Sequence, residues 1–292
     1  LSLIKNSLQY KKLKQFNINL HMEDTNMISG ISFHQNSEDN VYICYIEEFS
    51  DELKERIVEM LSSIWHGSVD AEERPQFSYN TTVKRFLERY QTKTPDTKKG
   101  MIGELLTHLL MPSYINLKAI SIMKNKEENS IRKGFDIVYT DENNLIWYCE
   151  VKSGGDTNTT ENIDTKNKSL LNKARKDIEE HSMGDRATLW ESVLIDVNST
   201  IFNSERRFDI KNILDEDHPD TENRNLKRNV ILSSVLYKKL DTKICPNDLK
   251  RYKLNIDSEN IFVGLIVFSI QKETYSKIED FLISQFNENN NG

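Results

Sequence analysis

The sequence predicts an α/β fold: a central mixed β-sheet flanked by helices. Three observations carry that expectation. Short runs of strand formers at 41–47, 134–139, 146–152, 230–237 and 261–270 alternate with longer stretches whose apolar residues recur at helical spacing. Two of these runs, 134–139 and 146–152, are separated only by a polar turn and read as a hairpin. A chain of 292 residues, 37% hydrophobic and 29% charged, has room for one large core or a core with an elaboration.

The elements follow in order. Residues 27–34 and 41–47 read as two strands joined by Gln-Asn-Ser-Glu-Asp-Asn. Residues 51–66 read as a helix: Ser50 or Asp51 can cap it, Leu53, Ile57, Met60, Leu61 and Ile64 form its stripe, and Gly67 stops it. A second helix covers 80–91, and the Thr/Lys/Pro-rich stretch 92–99 reads as a loop. Residues 100–111 form a strongly apolar helix ended by Pro112. A strand at 117–123 and a turn at 124–130 precede the hairpin. Beyond it, Ser153-Gly154-Gly155 breaks the strand and 156–162 is a polar loop. Residues 164–182, capped by Asp164 or Thr165, and 186–203 read as helices, and the charged 204–228 stretch as loop. Strands at 230–237 and 261–270 and a helix at 272–286 close the chain, with an Asn-rich tail expected to fray.

Bulk properties narrow the class. The longest apolar run, Ile261–Ile270, is about half of what a membrane helix requires. Lys5, Lys11, Lys12 and Lys14 are not followed by the apolar segment of a signal peptide. Three cysteines without paired spacing argue against a disulfide scaffold or zinc knuckle and for a reducing cytoplasm. A net charge of −7 is acidic for a free DNA-binding protein, so DNA affinity is expected to be weak or partly supplied by a partner.

The hairpin carries the chemistry. It places Asp136, Glu150 and Lys152 at the tips of apolar strands, where charges are costly unless paired or bound to a metal. Two carboxylates suit a hard divalent cation, and a nearby lysine can orient water or meet an anionic phosphate. Acid-x-Lys alone is cheap: it occurs seven times, at Glu52, Asp96, Glu150, Asp164, Asp209, Asp241 and Asp248. Only Glu150-Val151-Lys152 closes a run of strand formers, whereas Pro95-Asp96-Thr97-Lys98 reads as linker. Register decides whether the acids meet. A three-residue loop, Glu142-Asn143-Asn144, with Asn144 left-handed, pairs Asp141 with Leu145 and sets Asp136 opposite Glu150 on one sheet face. A four-residue loop would put Asp136 on the other face. Cys149, on the opposite face from Glu150, reads as core. Glu104 is either a helix-end charge favoured by the dipole or a further carboxylate aimed at the site. His108, one turn on, reads as a partly buried bystander. Lys166, Lys168, Lys173, Arg175 and Lys176 form either a phosphate-contacting helix face or a solvated one.

The order of these elements resembles the PD-(D/E)xK, or restriction-endonuclease-like, nuclease superfamily, with Phe135 in place of the motif's proline. Lys99-Gly100-Met101-Ile102-Gly103-Glu104-Leu105-Leu106, Lys133-Gly134-Phe135-Asp136 and Trp147-Tyr148-Cys149-Glu150-Val151-Lys152 are more closely similar to the DUF1837 family, the nuclease subunit of the Hachiman anti-phage defence system. The resemblance spans roughly residues 40–287. It implies an N-terminal α/β elaboration over 1–96 and a nuclease-like domain over 97–292. It further implies a Mg²⁺-dependent (or Mn²⁺-dependent) deoxyribonuclease acting on DNA with a helicase subunit that restrains it. Asp136, Glu150 and the Val151 backbone carbonyl would hold the metal, with Glu104 as a further candidate ligand. Glu104, Asp136, Glu150 and Lys152 would form the catalytic set. Two other classes stay open: a non-catalytic helicase or nucleic-acid adaptor on a nuclease-like fold, and a stand-alone restriction endonuclease.

Overall fold

The computed structural model describes residues 27–124, 135–155, 161–183, 187–218, 227–273 and 275–290. Strands β1 (Ile31–Asn36), β2 (Val41–Ile46), β3 (Lys118–Ala119), β4 (Ile137–Thr140), β5 (Ile146–Gly154), β6 (Asn229–Tyr237) and β7 (Gly264–Lys272) form one seven-stranded sheet in the order β1-β2-β7-β6-β5-β4-β3. The four central strands, β2, β7, β6 and β5, run parallel, and antiparallel strands finish both edges.

Alternation along each strand sends side chains to two layers. Trp147, Cys149 and Val151 of β5 face one core with Ile231 and Val235 of β6 and Phe268 and Ile270 of β7. Helices α1 (Asp51–His66), α3 (Tyr79–Gln91), α4 (Pro95–Tyr114) and α9 (Ser276–Asn290) cover that face, while α2 (Ser68–Glu73) bridges toward the other layer. Ile146 and Tyr148 face the second core with Leu232, Leu236 and Val267. Helices α5 (Ile163–Met183), α6 (Ala187–Thr200), α7 (Ser204–Glu216) and α8 (Pro246–Ser258) cover it. Burial on both faces explains why the parallel strands read as nearly continuous apolar runs. Cys149 is fully buried in the first core, as its strand parity requires.

Several expectations need correction. The loop expected at 92–99 shrinks to 92–94, and residues 95–99 are the start of α4. Thr94 caps α4 by accepting the Thr97 N–H, and Pro95 takes the first helical position, where its missing N–H costs nothing. Pro112 does not end that helix: it lies in the last turn, and the chain stays helical to Tyr114, with the Ile115 N–H bonded to the Met111 carbonyl. The strand expected at 117–123 shrinks to two residues because side chains replace the ladder; Ser121 Oγ accepts the Val138 N–H at 2.8 Å. Asn162, and not Asp164 or Thr165, caps α5, accepting from the N–H groups of both. Residues 204–216 are helix α7, capped by Asn203, where loop was expected. Helix α8 had no counterpart in the sequence reading. All but the first residue of the turn expected at 124–130, most of the loop at 156–162, and 219–226 lie outside the described residues. The boundary expected at 96/97 falls in the first turn of α4, and β2 of the N-terminal part is hydrogen-bonded to β7.

Candidate active site

The hairpin from β4 to β5 sets the site. Asn144 has φ 61°, and the Asp141 N–H donates to the Leu145 carbonyl, which is the three-residue loop. The ladder therefore pairs Ile137 with Cys149, and Asp136 lies one step further, alongside Glu150. On the β4 side, pairing stops at Cys149, while β6 continues with β5 to Gly154. Past that point Asp136 stands in for a strand: its Oδ2 accepts the Val151 N–H at 2.9 Å.

Glu150 and Lys152 project from the same face of β5, the face covered by α5. Glu150 is 2% exposed. Its Oε1 accepts from the Lys152 ammonium at 2.6 Å, and its Oε2 accepts no hydrogen bond from the described residues. His181 Nδ1 of α5 lies 3.7 Å from that oxygen. The Lys152 ammonium also meets Asp177 Oδ2 of α5 at 2.7 Å.

Glu104 comes from the opposite layer. A Cβ on Gly103 would meet Ser153 Oγ at 1.8 Å and, with that hydroxyl turned away, still crowd Ser153 Cβ at 3.0 Å and Val235 Cβ at 3.3 Å, so the missing side chain lets α4 press closely on β5. The next residue, Glu104, is thereby carried to the tip of the strands, half-buried and near enough to Asp136 and Glu150 to feel their charges. It lies well inside α4, whose first residue is Pro95, so the helix-end dipole does not account for it. His108 is more buried than expected, at 2%, and neither ring nitrogen has a hydrogen-bond partner among the described residues. Burial lowers its pKa to about 3, so it is a neutral core residue.

Electrostatically the carboxyls are held against their charge. Burial raises the pKa values of Glu104 and Glu150 well above the ordinary range, and the Asp136 charge raises both further. Burial also raises Asp136, against the pull of Lys152 and the Val151 N–H. Burial disfavours the Lys152 ammonium, yet Glu150 and Asp136, joined by Asp177, hold its pKa above the ordinary lysine value.

The donor set fits a hard divalent cation in one respect and limits it in another. Glu150 presents a buried carboxylate oxygen with no donor among the described residues, beside a second carboxylate. Among the described residues, no three His, Cys, Asp or Glu side chains stand together as a ready metal cage. Mg²⁺ does not need one, because it is held by one or two carboxylates and keeps several waters or substrate oxygens.

Asp177 and His181 were missed by the sequence reading. They lie four residues apart and so on one face of α5, a helix whose charge pattern is dominated by lysines and an arginine. Three of those cations pair outside the site: Arg175 with Glu179 and Glu259, Lys166 with Glu161, and Lys176 with Glu180. Pro95-Asp96-Thr97-Lys98 contributes nothing to the site; Asp96 pairs with Lys99 at 3.5 Å, and Lys98 with Glu279 at 3.3 Å.

Among the described residues, no helix is long and apolar enough to cross a membrane. No curated protein matches the chain. The HamA family model matches residues 16–286. The chain therefore belongs to the HamA family and is an anti-phage defence protein of the Hachiman type.

Proposed function

We propose that this HamA-family chain is the metal-dependent DNA nuclease effector of its defence system, a cytoplasmic protein held in check by a helicase partner. The observation that carries the reading is Glu150. A carboxylate buried this deeply, with one oxygen undonated and a second carboxylate beside it, is expensive as pure structure and apt as a cation site.

Asp136 and Glu150 would hold Mg²⁺ or Mn²⁺, with the Val151 carbonyl and Glu104 as further candidate oxygens. When bound, the ion would polarise a phosphoryl oxygen and lower the pKa of water. Lys152 would orient the attacking water or offset charge gathering on the phosphoryl group. Glu104, reaching in from the other layer, would accept a hydrogen bond from water at the same place.

The adaptor reading keeps one observation in its favour. Lys152 already neutralises Glu150, and Asp136 already serves the backbone, so these charges are partly satisfied without a metal. One experiment separates the readings. Purified chain, alone and with the helicase encoded beside it, is incubated with plasmid DNA in Mg²⁺ or EDTA. A nuclease cuts only in Mg²⁺ and loses cutting in Glu150→Ala. An adaptor cuts in neither, and a stand-alone restriction enzyme gives discrete fragments without the helicase.

A further inference from the structure

We propose that Asp177 is a positioning residue: a second anchor that keeps Lys152 in the site when Glu150 gives its oxygen to a cation. The inference rests on the nuclease reading above and deepens it. One ammonium is shared by two carboxylates on different elements, Glu150 Oε1 at 2.6 Å and Asp177 Oδ2 at 2.7 Å. An ammonium has three donors and can satisfy both at once. The two acids differ in situation. The Glu150 side chain is 3% exposed and the Asp177 side chain 37% exposed. Glu150 needs a positive partner to remain charged where it is. The lysine that stabilises it also occupies Oε1, one of the two oxygens Glu150 could offer a divalent cation.

Glu150 can serve as a ligand through that oxygen only by releasing Lys152. A lysine released from its single partner is a hydrated charge on a flexible four-carbon stem, and it would leave for solvent. Asp177 prevents this. Its helix is fixed against the lysine's own sheet neighbourhood: Asn167 of α5 accepts from Ser234 Oγ at 2.7 Å and donates to Ser269 Oγ at 3.2 Å. Ser234 is the β6 partner of Lys152. Ala174 and Ile178, fully buried, hold the same face of the helix down on the sheet. One turn beyond Asp177, His181 packs edge-on against Phe135, the residue before Asp136. Helix α5 thus presents one group to the lysine and the next toward Glu150. A merely structural ion pair at this exposure would contribute little to anything but local order.

The test uses the full chain, with its helicase partner where cutting requires it. Wild type, Asp177→Asn, Asp177→Glu, Lys152→Met and the double variant Lys152→Met/Asp177→Asn are compared. Mn²⁺ binding is measured by calorimetry without DNA, and plasmid cleavage in Mg²⁺ under single turnover. With Asp177 gone, Glu150 is the one carboxylate left in direct contact with Lys152 among the described residues, so Asp177→Asn should bind Mn²⁺ about tenfold more weakly, given the strength of a hydrogen bond between charged groups. In the Lys152→Met background the same change should alter Mn²⁺ binding by less than about twofold, because there is no lysine to position. Cleavage by Asp177→Asn should fall ~10–100-fold in rate at unchanged DNA half-saturation, and Asp177→Glu should recover most of it. Wild-type Mn²⁺ affinity and cutting in Asp177→Asn would overturn the inference and leave the nuclease reading intact. An equal loss of Mn²⁺ binding in both backgrounds would also overturn it, since Asp177 would then act independently of Lys152. A wild-type chain that neither binds Mn²⁺ nor cuts would remove the nuclease reading and the inference together.

Discussion

Two acid-x-lysine segments lie in this chain under nearly opposite conditions. The Asp96 side chain is 94% exposed, whereas that of Glu150 is 3% exposed. Asp96 sits in the first turn of α4, where a negative charge meets the helix dipole and nearby water at little cost. Glu150 sits within a strand under a helix, and its charge survives there only through Lys152 and the neighbouring groups. The same three-letter pattern is therefore ordinary helix-start chemistry in one place and a concentrated charge cluster in the other. The difference is burial, and burial is what gives a carboxylate catalytic leverage in a low-dielectric site.

The largest expected effect is on this contrast itself. Glu150→Ala or Lys152→Ala should reduce plasmid cleavage by ~10³-fold or more, the scale seen when a group that acts on the transition state is removed. Asp96→Ala and Lys98→Ala should cut within about twofold of wild type, since their partners are Lys99 and Glu279 and neither pairs with a group of the Glu150 site. A dead Asp96→Ala variant with normal folding would move the active site to the helix start.

Glu104→Gln tests the contribution of the second layer. It keeps size and removes charge beside Asp136. Cleavage should fall by ~10–100-fold, within the range of a single acid–base or water-orienting group. Full activity would make Glu104 a passive neighbour.

His108, one turn from Glu104, is the control for burial without chemistry. Its folded pKa of about 3 lies below the ordinary 6.5, so the unfolded chain takes up the proton first as pH falls. That uptake withdraws stability as pH drops from 6.5 toward 3, on the order of 5 kcal/mol in all at about 1.4 kcal/mol per unit. His108→Leu should therefore lower the acid-unfolding midpoint, read by circular dichroism, while cleavage at neutral pH stays near wild type. An unchanged acid midpoint would show that His108 finds a partner for its proton.

The smallest effect belongs to the cap of the decoy segment. Thr94→Ala removes the acceptor for the Thr97 N–H and should cost about 1 kcal/mol, a fall in Tm of about 2–4 °C, with no change in metal dependence. A loss of activity without a loss of Tm would contradict the purely structural role of that turn.

Much of this arrangement was legible in the residues. The Asn144 turn, the parity of Asp136 with Glu150 and the placing of Cys149 in the core all follow from local rules, because a hairpin loop fixes its own register and a strand alternates its own faces. Other features were not local. Whether Pro95 opened a helix or a linker depended on Thr94 as a cap and on α4 finding a close seat against β5 at Gly103. The two groups of α5 nearest the site, Asp177 and His181, were hidden in a helix whose charge pattern reads as basic. A sequence records which charges a helix carries and at what spacing. Which of them turns inward is decided when Ala174 and Ile178 bury against the sheet and Asn167 locks onto Ser234 and Ser269, and those contacts join residues up to 102 positions apart. Periodicity is a property of neighbours along the chain, so the sequence by itself determined the central strands, the hairpin register and the charged tip. The environment of each charge is a property of the packed core, so only the tertiary structure decided which carboxylates Lys152 would serve.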